Sequence, residues 1–88
     1  MRAAISVVGK DRPGILAYVA TACADRNINI VDVTQKVLQD LFTMIMIVEI
    51  PEDDKITHIG DELESLGNAQ GLKIHVMHED IFNAMHTI

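Results

Sequence analysis

The chain has 88 residues, enough for a single domain spanning 1–88 and too few for a second core. Its 49% hydrophobic and 23% charged content is that of a folded globular chain and excludes disorder. A net charge of −6, with the seven basic residues scattered, argues against a nucleic-acid partner, because phosphate binding needs a clustered Lys/Arg surface.

Residues 3–8, Ala-Ala-Ile-Ser-Val-Val, read as a short strand, and Gly9-Lys10-Asp11-Arg12 comes next as a tight loop. Pro13 is expected in the first turn of a helix, where its missing N–H has no intrahelical partner. Ile15, Leu16, Val19, Ala20 and Cys23 fall on one stripe of that helix, and Arg26-Asn27 ends it. Ile28 to Leu38 is rich in β-branched residues and reads as a strand, Gln39-Asp40 as a hairpin turn, and Phe42 to Ile50 as the returning strand. Asp53 or Asp54 is expected to cap a second helix. Its stripe is Ile56, Ile59, Leu63 and Leu66, and Gly67 or Gly71 is its stop. Leu72 to Met77 alternates as a last strand, and residues 79–88 place Ile81, Phe82, Met85 and Ile88 on one helical face.

The order β-α-β-β-α-β plus a short C-terminal helix predicts an α+β, ferredoxin-like sandwich. Right-handed crossovers leave few other assemblies than four antiparallel strands with both long helices on one face. One strand departs from the pattern of a half-exposed sheet. Along 42–50 both alternating sets are largely apolar, with Phe42, Met44, Met46, Val48 and Ile50 on one side and Ile45 and Ile47 on the other. Since the helices cover one face, the tail helix or a second subunit is expected to cover the other.

The run Gly9-Lys10-Asp11-Arg12-Pro13-Gly14-Ile15-Leu16-Ala17, with Asn27-Ile28-Asn29-Ile30-Val31-Asp32 and Gln35 after it, resembles the signature of ACT domains. These are ligand-sensing modules that accompany enzymes and regulators of amino-acid metabolism. The likeness spans nearly the whole chain and is nearest to the glycine-cleavage-repressor-like branch and to short stand-alone ACT proteins. It implies a small-molecule ligand, an amino acid, held by Asp11, Pro13, Gly14, Ile15, Asn27, Asn29 and Asp32 in a side-by-side homodimer, with a regulatory target protein receiving the signal. Where some amino-acid-binding members carry a His near this loop, the chain has Gly9 and Lys10.

The residues fit that use. Gly14 lacks a Cβ and permits close approach; a helix start offers N–H groups to a carboxylate; Asp11 suits an ammonium, and Asn27 or Asn29 can both donate and accept. Each also has a plainer role: Gly14 in helix–strand packing, Asp11 at the helix dipole, Asn27 as a helix stop, Asp32 and Gln35 as solvated strand residues.

Other classes find little support. A metal chaperone of this fold needs a C-x-x-C loop, and the chain has Cys23 alone. His75 and His78, three apart near a strand end, point to opposite faces. No motif asks for a cofactor, and no G-x-S-x-G, H-E-x-x-H or P-loop marks an enzyme. A lone cysteine in so small a domain points to a reducing, cytoplasmic setting, and the N-terminus has no signal-peptide pattern. No apolar run approaches the roughly 20 residues of a membrane span. The alternative function is a ligand-free adaptor that pairs with another ACT-containing protein.

Overall fold

Ala3, Ile5 and Val7 are buried along β1 (Arg2–Lys10), which lies between two antiparallel neighbours, β3 (Leu41–Glu49) and β4 (Lys73–His78). The sheet order is β2-β3-β1-β4, with β2 (Asn29–Leu38) as the outer strand beside β3. The helices are α1 (Ile15–Asp25), α2 (Ile56–Ala69) and α3 (Glu79–His86). This is the ferredoxin-like βαββαβ fold with a short third helix. The structure, a computed structural model, describes residues 1–86; Ile88, expected in the tail stripe, lies outside the described residues.

The core forms where the two helical stripes meet the inward set of the sheet. Ile15, Val19, Ala22 and Cys23 of α1 and Ile59 and Leu63 of α2 pack with Ile5, Val7, Met44, Met46, Val48, Leu72 and Ile74. Cys23 is fully buried there, and burial pushes its thiol pKa up against a smaller downward pull from Arg26.

The element ends show where local signals were outweighed. Pro13 precedes the helix rather than joining its first turn, because Gly14 occupies the N-cap position with φ 90° and ψ 2°. Asn27 stops α1 by taking φ 57°, a left-handed conformation that Asn tolerates better than most residues. Gln39, with φ 58°, makes the hairpin turn without a glycine. Neither Asp53 nor Asp54 caps α2: Lys55 is the N-cap, while the Asp54 carboxylate accepts the N–H of Lys55. Of the two expected glycine stops, Gly71 takes φ 72° just past the helix, and Gly67 lies within α2, buried against Ile74.

α3 settles what covers the second face of the sheet. It returns over its own β1 and β4, and Phe82 lies in a pocket with Asp32, Thr34, Ile45 and Ile47. Ala4, which pairs with Ile47 and Met77 on that face, is 2% exposed. Toward the hairpin end Val8, Leu38 and Leu41 remain exposed.

Candidate functional site

β1 hands over to α1 through Asp11–Gly14, and three different contacts hold that loop. The N–H of Asp11 donates to the carbonyl of Asp40 in the hairpin turn at 2.7 Å. Arg12 donates from Nη1 to the carbonyl of Gln70 at 2.9 Å and from Nη2 to its Oε1 at 3.3 Å, fixing the loop to the end of α2. Gly14 accepts the first helical bond, from the N–H of Tyr18, at 2.9 Å.

Beyond Gly14 the helix start is open. No side chain caps α1, and no acidic residue stands in its first turn. The leading N–H groups and the positive end of the helix dipole are therefore left unmatched by the protein. A Cβ built on Gly14 would meet nothing within 4 Å, so the junction is bare backbone facing open space. Asp11 is exposed, and among the described residues no hydrogen bond or ion pair engages its carboxylate. A carboxylate-accepting group and an ammonium-accepting group thus stand three residues apart. Of this loop, Gly14 borders a cleft of about 490 Å³ between α1 and α2, lined also by Ala17, Tyr18, Thr21 and Leu66.

The remaining expected residues lie elsewhere. Ile15 is buried in the core, so only its peptide N–H is available to a ligand. Asn27 and Asn29 are exposed at the far end of α1, where Asn29 pairs with Glu49. α1 has 11 residues, so roughly 16 Å separates the two groups along the helix. Asp32 pairs with Ile47, lines the Phe82 pocket on the α3 side, and accepts the N–H of Val33 at 2.9 Å. A register shift between Ile30 and Asp32 marks a bulge at Val31. One subunit therefore brings together Asp11, Pro13, Gly14 and the Ile15 N–H, and keeps Asn27, Asn29 and Asp32 apart from them.

Two contributors were missed by sequence reasoning. Arg12 sits inside the motif, but its Gln70 partner is 58 residues away and has no sequence signal. Tyr18 was recoverable, since the chain's one tyrosine stands four residues after Gly14 on the same helical face. Its hydroxyl donates to the carbonyl of Leu66 at 3.0 Å and joins α1 to α2 beside the cleft.

The ACT domain family profile matches residues 2–77. A UPF0237 protein of Methanopyrus kandleri is 42% identical over 88 residues, covering 99% of this chain and 98% of the relative. The solved structure of an ACT domain protein from Streptococcus pneumoniae superposes with a TM-score of 0.85 at 40% identity, covering 98% of each chain. A protein assigned as a glycine cleavage system transcriptional repressor superposes at TM-score 0.74 and 28% identity, covering 86% of this chain and 44% of that one. Among the described residues no helix is long and apolar enough to cross a membrane.

Proposed function

The chain belongs to the ACT domain family, and from that premise we propose that it is a regulatory module that senses a small ligand, an amino acid, as a homodimer. In this reading it catalyses nothing, uses no cofactor, works in the cytoplasm, and passes its signal to a regulatory target protein.

One observation carries the reading: the two halves of the expected site lie at opposite ends of α1, beside a free strand edge. β2 is an outer strand of ten residues, and a long unpaired edge is a template for another strand. Joining two β2 edges antiparallel across a two-fold axis would set the Asp11–Gly14 end of one subunit against the Asn27–Asn29 end of its partner. The ligand carboxylate would then sit on the free N–H groups that begin α1, with the ammonium on Asp11. Asn27 and Asn29 of the other subunit would close the site with side-chain hydrogen bonds. Pro13 shapes the loop, and Asp32, on the α3 face, would reach the ligand only around the strand. A site built from two chains couples ligand binding and dimerisation reciprocally.

The test is a thermal-shift screen of the common amino acids, paired with solution mass. A ligand at about 100 times its Kd adds roughly 2.7 kcal/mol, a shift of several degrees in a domain of this size. Asp11→Ala should remove that shift and leave the unliganded melting temperature unchanged. No shift with any amino acid would turn the reading to the ligand-free adaptor.

A further inference from the structure

The sheet has a second free edge, at β4, and it lies at the bottom of a groove. α2 walls one side and α3 the other, enclosing about 530 Å³ of open space. The α2 wall presents Asp61 and Glu64, both exposed, and among the described residues no Lys or Arg lines the groove. The α3 wall presents Ile81 and Met85, which are 56% and 66% exposed. Among the described residues β4 is hydrogen-bonded on one side only, to β1, so alternate peptide groups of its six residues face outward into the groove.

We infer that this groove binds an extended segment of a partner protein in which basic and apolar residues alternate, added as a fifth strand alongside β4. Geometry dictates the pattern. Side chains of an added strand point alternately to the two faces of the sheet. On one face they meet the carboxylates of Asp61 and Glu64, which select Lys or Arg; on the other they meet Ile81 and Met85, which select apolar side chains. Main-chain bonds to β4 would supply affinity and the two walls the specificity.

Charge complementarity decides against a second copy of this chain. Pairing β4 with β4 across a two-fold axis would bring α2 against α2 and set Asp61 and Glu64 beside their own counterparts, in a chain of net charge −6. The groove rests on the regulatory reading only in being the surface that would meet a target. Its test reads peptide binding, and the amino-acid screen reads the Asp11 loop, so either can fail alone.

The probe is a fluorescent peptide of alternating Lys and Val, measured by anisotropy at about 0.15 M salt so that screened, long-range attraction contributes little. Binding is expected, with amide shifts along Lys73–His78. Affinity should fall at least tenfold for Asp61→Lys with Glu64→Lys, and likewise for Ile81→Asp, which changes an exposed side chain and leaves the core intact. A Glu-Val peptide, and a Lys-Val peptide with alternate backbone nitrogens methylated so that they cannot donate, should not bind. Absence of binding overturns the inference. So does binding that survives both sets of substitutions, binding by the N-methylated peptide, or a fall in solution mass on Ile81→Asp, which would assign the groove to a second copy.

Discussion

Arg12 reaches across the domain to grip Gln70 twice, through its backbone carbonyl at 2.9 Å and its side-chain Oε1 at 3.3 Å. The loop that opens the candidate site is therefore fastened to the residue that caps the C-terminus of α2. Both groups are exposed, so the energetic value of the contact is small and its positional value larger.

Arg12→Ala should cost about 0.5–1 kcal/mol in urea denaturation, the range for a solvent-exposed hydrogen-bonded pair. Hydrogen exchange at the Asp11 N–H should quicken, because its bond to Asp40 would then be the main tether of the loop. An Asp11 amide as protected as in the unaltered protein would mean that the hairpin alone holds the junction.

Three glycines differ in what an added side chain would meet. At Gly67 a Cβ would lie 2.9 Å from the carbonyl oxygen of Leu72 and 2.7 Å from Ile74 Cγ1. The backbone atom cannot rotate away, so Gly67→Ala should destabilise the fold by about 1–2 kcal/mol, overpacking outweighing the helix preference of Ala. At Gly60 the nearest atom would be Val76 Cβ at 3.7 Å, an ordinary contact, and Gly60→Ala should stabilise by about 0.5–1 kcal/mol. Gly14 has space but φ 90°, so Gly14→Ala should lose about 1–2 kcal/mol through backbone strain alone. Equal effects in the three melting curves would contradict this division.

The fold was legible because the apolar periods change cleanly from two to 3.6 and back, and because a lone βαββαβ order admits few assemblies. Helix starts were harder. Proline favours a first turn and aspartate a cap, yet Gly14 and Lys55 hold those positions, set by how the loops must enter rather than by local preference. The bulge at Val31 leaves no mark in a run of β-branched residues. For the site, the motif pointed to the loop and the Asn27–Asn29 segment, but only the topology puts an 11-residue helix between them. Contacts such as Arg12 with Gln70, remote in sequence and formed by exposed side chains, obey no sequence period.

Cys23 makes stability depend on alkaline pH. Burial raises its pKa in the folded state above the ordinary 9.0, so the unfolded chain gives up this proton first. Its contribution is complete below about pH 9 and is lost as pH rises from there toward the folded-state value. The difference in urea midpoint between the unaltered protein and Cys23→Ala should therefore be constant near neutrality and shrink at alkaline pH. Two curves that stay parallel would show that the thiol is not held protonated by the core. Its reaction with a thiol reagent should also proceed at the rate of opening of α1, since the side chain is wholly buried.

Val37 tests the proposed dimer at its seam. It pairs with Phe42 and so faces the α1 side of β2, but where Phe42 is buried Val37 is 46% exposed, on the outer strand. Leu16 of α1, 40% exposed, lies toward the same end of the sheet. An apolar pair of this kind beside a free edge is what a joined sheet would cover, and lysine is the residue with which edge strands discourage pairing. Val37→Lys should leave the far-UV circular dichroism unchanged and alter stability within about 0.5 kcal/mol when measured at a concentration where the protein is dissociated. Sedimentation should show the mass of one chain, and any amino-acid-induced thermal shift should vanish with the dimer. A variant that stays dimeric would move the interface away from β2, and with it the pairing of Asp11 with the Asn27–Asn29 segment of a neighbour.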